Sequence, residues 1–256
     1  MSDYQFLELN VAEGIGTITL NQPPLNVLHI PMLAELNTLL EAVLGDGSLA
    51  ALVFRAGGKA FSAGADVSDH TAEKVGEMIE QFHGVFRKLA STDSLTIAAV
   101  NGAALGGGCE LATFCDIVLA SDRAKFGQPE VQVGVLPPVA ACVFPPQIGL
   151  KKAIELNAIG RTIDAHEAHR IGLVNHVYPA DEFEDSVAGY LQDIRKLSRP
   201  VVRTAKRATA MVDRERILSH LERVEKLYLD ELMKLSDAHE GLAAFMEKRP
   251  PKWQHK

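Results

Sequence analysis

The chain predicts an α/β fold of repeated strand–strand–helix units that gives way to a purely helical region near residue 195. Three observations carry this. Short β-rich runs alternate with segments of helical apolar spacing as far as Val177. Stretches rich in glycine and other small residues sit where apolar runs end. From Asp181 onward no strand signal returns, and only Arg199-Pro200 interrupts the helical pattern. Residues 1–195 are therefore expected to form an α/β core and residues 196–256 a helical region.

Taken in order, Phe6 to Val11 and Gly16 to Leu20 read as strands joined by Ala12-Glu13-Gly14 in a hairpin. Asn21-Gln22-Pro23-Pro24 stops the second strand and makes Leu25-Asn26-Val27-Leu28 a constrained loop. From Pro31, apolar Met32, Leu36, Leu39, Leu40 and Val43 have helical spacing, ended by Gly45-Asp46-Gly47. Ala50 to Phe54 is continuously apolar, a strand buried on both faces. It runs into the loop Gly57 to Asp66, and a helix over Glu73–Leu89 follows with Val75, Ile79, Phe82 and Phe86 on one face. Thr96 to Val100 is the next buried strand, leading to glycines and a short helix at 109–114. Ile117 to Ala120 and Ala124 to Phe126 are short strands. A mostly apolar helix follows Pro137-Pro138, then a helix at Leu150 to Ala158 and another capped by Asp164. Gly172 to Val177 is a turn and strand, and the later stripe Ile217, Leu221, Val224, Leu227, Tyr228 needs the main body or another subunit to pack on.

With 47% hydrophobic and 23% charged residues, 256 residues suffice for one large domain with a full core. The net charge of -7 disfavours nucleic acid and anionic membrane as partners. Cys109, Cys115 and Cys142 have no metal-ligand spacing and, being odd in number, suggest buried free thiols in a reducing compartment. The opening Met-Ser-Asp-Tyr-Gln-Phe lacks signal-peptide character and no apolar run reaches spanning length, so a cytoplasmic protein is expected.

The chemistry centres on Ala99-Val100-Asn101-Gly102-Ala103-Ala104-Leu105-Gly106-Gly107-Gly108-Cys109-Glu110 and on Phe126-Gly127-Gln128-Pro129-Glu130. A glycine turn at a helix start leaves N–H groups unpaired at the positive end of the helix dipole. A nucleotide fingerprint fails, because the sixth position from Gly106 is Leu111 and no glycine run ends in Gly-Lys-Ser/Thr. No His/Cys cluster suggests a metal, and there is no Gly-x-Ser-x-Gly elbow. Two strand-to-loop junctions remain, at 62–66 and 106–108, each able to aim a backbone N–H into a shared cleft as an oxyanion needs. Glu110 and Glu130 beside them offer an acid/base pair.

Lys59-Ala60-Phe61-Ser62-Ala63-Gly64-Ala65-Asp66, the run from Ala98 to Asp116 and Phe126 to Glu130 resemble, in order and spacing, the enoyl-CoA hydratase/isomerase (crotonase) superfamily. Weaker similarity at the N-terminal strands and Gly160 to Val174 extends this over nearly the whole chain. The resemblance implies a spiral of ββα units, an acyl-CoA thioester substrate, no metal or redox cofactor, and a homotrimer or homohexamer built with the C-terminal helices. It places oxyanion-hole N–H groups at Ala65 and Gly107, the hydratase glutamates at Glu110 and Glu130, and coenzyme A contacts at Ala63, Ala65, Asp66 and Val67. Having both glutamates favours a hydratase over isomerising or hydrolysing members. Where typical hydratases carry Pro-Gly-x-Gly-Gly-Thr, this chain has Val135-Leu136-Pro137-Pro138-Val139-Ala140-Ala141-Cys142, which assigns Pro137, Pro138 and Val139 to the acyl-pocket wall. With Pro23 to Leu28, that segment is similar to hydratases of cyclohexa-1,5-diene-1-carbonyl-CoA in anaerobic aromatic breakdown.

Plainer readings stand beside these. Glu110 reads equally as a surface carboxylate complementing a helix dipole, and Glu130 as a helix cap. Asp66 reads mainly as an N-cap. Arg195, Lys196, Arg199, Arg203, Lys206 and Arg207 read as a solvated face more than as phosphate contacts, and His29, His70 and His83 as structural. Straight-chain enoyl-CoA hydration or isomerisation, and a non-catalytic acyl-CoA- or RNA-binding protein on the same scaffold, are the alternative functions.

Overall fold

The computed structural model describes residues 4–45 and 47–256; Met1 to Asp3, which begin the segment searched for a leader, and Asp46 of the first helix stop lie outside them. The opening hairpin joins β1 (Leu7–Ala12) to β2 (Ile15–Leu20). Its turn is Glu13-Gly14, with φ of 53° and 79°, the left-handed pair that a two-residue turn requires to match strand twist. Ala12, read as part of the turn, ends β1 instead. Helix α1 (Ile30–Leu44) starts on His29, whose Nδ1 accepts from the Met32 N–H at 3.1 Å.

Three successive units then repeat one pattern. They are β3 (Ala51–Ala56), β4 (Ala60–Ser62) and α2 (Val75–Ser91); β5 (Leu95–Val100), β6 (Ala103–Leu105) and α3 (Gly107–Phe114); and β7 (Ile117–Ser121), β8 (Lys125–Gly127) and α4 (Pro138–Ile148). The first strand of each unit joins a six-stranded sheet of order β1-β2-β3-β5-β7-β10, parallel beyond the hairpin. The second joins a four-stranded sheet, β4-β6-β8-β9, whose first three strands are parallel. The chain continues through α5 (Leu150–Ile159), β9 (Thr162–Asp164), α6 (Ala165–Ile171), β10 (His176–Tyr178), α7 (Phe183–Arg195), α8 (Arg199–Asp230) and α9 (Ser236–Met246).

The apolar run in β3 is buried on both faces, as its composition predicts. Leu52 and Phe54 point into the main core with Phe61, Phe86 and Phe126, whereas Ala51 and Val53 face a second cluster closed by Phe183, Val187, Leu191 and Ile194 of α7. The stripe on α8 packs on the body of the same chain: Leu221, Val224 and Tyr228 are buried in the main core. Lys206, read as one of a solvated set, is buried and anchors α8 by ion-pairing with Asp116 at 2.6 Å and donating to Ser94 O at 2.6 Å.

Candidate active site

The small sheet delivers the site. In its parallel register Ser62 pairs with Ala104, and Leu105 pairs with Gly127. Ala65 lies three residues past Ser62, Gly107 three past Ala104, and Glu130 three past Gly127. Parallel strands end on the same edge, so three consecutive strand exits bring these residues together.

Each glycine of the triplet has its own reason. Gly106 has φ of 52°, and a Cβ there would stand 2.8 Å from Glu130 Oε1. A Cβ on Gly107 would be 3.2 Å from Ala65 N, and one on Gly108 only 2.5 Å from Ser62 O. Helix α3 begins at Gly107, two residues before the predicted start, because the non-helical backbone ends at Gly106. Among the described residues, neither the Ala65 N–H nor the Gly107 N–H has an acceptor: Leu28 bonds Gly64 O and the Asp66 N–H, and Gly107 is the first residue of α3. Two oriented, unspent donors thus stand side by side.

They open onto a cavity of about 390 Å³, whose walls include Ala63, Ala65, Val67, Gly107, Glu110 and Glu130. Phe82 of α2, Tyr228 of α8 and Leu242 of α9 also line it. Glu110 is 1% exposed, which rules out the surface-carboxylate reading. Its Oε1 accepts from Val139 N at 2.7 Å and Ala140 N at 2.8 Å. These are the second and third residues of α4, whose first, Pro138, has no N–H to satisfy. Burial outweighs those two bonds and pushes the Glu110 carboxyl up to about 7. Glu130 is the second residue of a 3-10 turn and not its cap, the N-cap position being Gln128 without a side-chain capping bond, and is raised well above the ordinary range by desolvation and by the charge of Glu110. With its amide nitrogen turned toward the acceptors, the fully buried Gln128 donates to Glu130 at 3.2 and 3.3 Å and to Gly106 O at 3.2 Å.

The remaining expectations divide. Of the coenzyme A set, Ala63, Ala65 and Val67 line the cavity; Asp66 instead caps a 3-10 turn, accepting from Ser68 N at 2.8 Å. Of the acyl-wall set only Pro138 is a lining residue, with Val135 and Leu136 beside it. Pro137 and Val139 are not: Pro137 forms the N-cap of α4, and Val139 turns into the core while its N–H serves Glu110. The basic residues at 195–207 contribute nothing to the lining. Cys109, Cys115 and Cys142 are buried and free, and burial pushes all three thiols up, Cys142 to about 12. Gln128, read only as part of the Phe126 to Glu130 segment, Tyr228, read only as part of an apolar stripe, and the α9 residues carry no site role in the sequence reading; the place of Gln128 two residues before Glu130 is the one signal the sequence offers. Among the described residues no cluster of three or more His, Cys, Asp or Glu is placed to hold a metal, and no helix is long and apolar enough to cross a membrane.

The repeated ββα units are those of the crotonase fold, and residues 10–256 match the family model for enoyl-CoA hydratase/isomerase; the chain belongs to that family. Among its relatives is the cyclohexa-1,5-dienecarbonyl-CoA hydratase of Thauera aromatica, 37% identical over 93% of this chain and 92% of that one. A probable enoyl-CoA hydratase of Mycobacterium bovis is 38% identical over 99% of both chains. In three dimensions an enoyl-CoA hydratase from Mycobacterium avium subsp. paratuberculosis superposes with a TM-score of 0.88 at 27% identity, covering 98% of this chain and 99% of its own.

Proposed function

We propose that this protein is a hydro-lyase that adds water to, or removes it from, a conjugated acyl-CoA thioester. The observation that carries the reading is the placement of two carboxyls with raised proton affinity in one cavity with two unspent backbone donors. The thioester oxygen sits on the Ala65 and Gly107 N–H groups. One carboxylate takes a proton from water as its oxygen bonds to the alkene carbon. The π electrons move onto the thioester oxygen as an enolate, which the two donors stabilise. The enolate then collapses and its α-carbon takes a proton from the other carboxyl. Mutual repulsion suits the pair to this work, because it favours a state with one proton between them near neutral pH.

The proposed substrate is cyclohexa-1,5-diene-1-carbonyl-CoA, met in anaerobic breakdown of aromatic compounds. The resemblance at Pro23 to Leu28 and Val135 to Cys142, and the Thauera relative, support it. A straight-chain enoyl-CoA is the second reading, favoured by the equally similar mycobacterial relative. A spectrophotometric assay of purified protein with crotonyl-CoA and the cyclic dienoyl-CoA decides between them: faster turnover of the cyclic thioester is expected, and strong preference for crotonyl-CoA overturns the narrower assignment. Tight coenzyme A thioester binding without turnover would revive the non-catalytic alternative. Self-association as a trimer or hexamer is part of the proposal, supported by exposed Val201 and Val212 on the first half of α8.

A further inference from the structure

The polar side chains of the cavity wall are nearly all spoken for. Glu110 holds two backbone N–H groups, Glu130 faces Gln128, and Gln132 donates to Gly160 O at 2.9 Å. His70 bonds Asp66 O through Nδ1 at 2.9 Å, and Arg249 is held by Glu240 at 2.6 and 2.9 Å. Tyr228 differs. It lines the same cavity, is 1% exposed, and its hydroxyl has no hydrogen-bond partner among the described residues. A buried hydroxyl left unpaired costs on the order of 1–3 kcal/mol, so a core position that needed only an aromatic ring would be better filled by phenylalanine. Tyr228 shares the cavity wall with Glu110 and Glu130, and the charges of both act on its phenol. Burial and those two negative charges push its titration upward, so it stays protonated and can donate.

We infer that Tyr228 is a further catalytic residue, whose hydroxyl donates a hydrogen bond to the oxygen that is added to, or expelled from, the acyl group. This rests on the hydro-lyase reading above. The carboxylate that takes a proton from that oxygen offers it none in the same state; a neutral phenol is a donor that does not depend on the protonation of the pair. In the hydration direction the bond fixes one lone pair of the water while another attacks the alkene carbon. In the reverse direction it stabilises charge building on the departing oxygen. No covalent bond to Tyr228 forms and its proton stays in place.

The test is Tyr228→Phe, which keeps the ring and removes only the oxygen. Its Tm is expected to equal or exceed that of wild type; a marked fall would show that the hydroxyl is bonded in the free protein and would overturn the inference. Hydration kcat should drop on the order of 10- to 100-fold on the better of crotonyl-CoA and the cyclic dienoyl-CoA. Calorimetric binding supplies a readout that a packing role would not move. Affinity for 3-hydroxybutyryl-CoA, which carries the transferred oxygen, should fall by about tenfold, while butyryl-CoA, which lacks it, should bind within about twofold of wild type. Equal losses for both ligands, or none for either, overturn the role of Tyr228. A wild-type protein that hydrates neither thioester overturns the parent reading, whereas an active wild type with an unimpaired Tyr228→Phe overturns this inference alone.

Discussion

Glu110 is held out of bulk water by its position. That burial favours the protonated form, against the pull of Val139 N–H and Ala140 N–H. The sign for stability follows. A carboxyl raised from 4.5 to about 7 holds its proton in the folded protein over a range where the unfolded chain has released it. Its contribution is therefore fully present below pH 4.5 and lost as pH rises through about 7, by roughly 3 kcal/mol. Glu110→Gln keeps an oxygen for the two N–H groups and removes this slope, so its urea midpoint should exceed that of wild type at pH 8 and converge with it near pH 5. Activity moves oppositely. Glu110→Gln and Glu130→Gln should each lower kcat by about 10²- to 10⁴-fold, measured on the preferred thioester. Wild-type retention in both would sink the two-carboxyl mechanism. Removing the Glu110 charge should also lower the titration of Glu130, shifting to lower pH whichever limb of the residual pH–rate profile Glu130 governs.

At the level of elements, the site depends on the exits of β4, β6 and β8 more than on any helix. Gly106→Ala tests this, because the new methyl would enter a left-handed backbone position and press on Glu130 Oε1. Stability should drop by about 1–2 kcal/mol in urea titration, and kcat should fall further than that loss explains. Lys206→Met probes the α8 anchor instead: it leaves Asp116 without its cation and should cost about 1–3 kcal/mol in the same titration with kcat unchanged at saturation. These elements were unevenly legible. Helices α1 and α2 and the α8 stripe announce themselves by periodicity, and the central large-sheet strands by short, nearly continuous apolar runs. The small-sheet strands at 60–62, 103–105 and 162–164 did not: each has three residues, too few to show alternation, and the second is two alanines and a leucine. The glutamates were visible as acids beside glycines. That Val139 would turn inward and lend its N–H to Glu110 was not, because this follows from where α4 starts against α3.

At the scale of the whole molecule, residues far apart in sequence share one cavity. Helix α2 supplies Phe82, α8 supplies Tyr228, and α9 supplies Leu242 and Phe245. Leu242, 4% exposed, can be shortened without touching the carboxyls. Leu242→Ala should lower stability by about 2–4 kcal/mol and shift kcat/KM toward bulkier acyl groups across a panel of thioesters. An unchanged preference would place the acyl group away from α9. The paired N–H groups of Ala65 and Gly107 carry a consequence of another kind. A side-chain acid disappears with a single codon change, but a peptide N–H survives every substitution except proline. Under the proposed mechanism, mutational drift on this scaffold therefore erodes the proton-transfer groups first and spares the cradle for the thioester oxygen. Descendants that lose Glu110 or Glu130 keep the means to hold an enolate and need only new side chains to decide its fate.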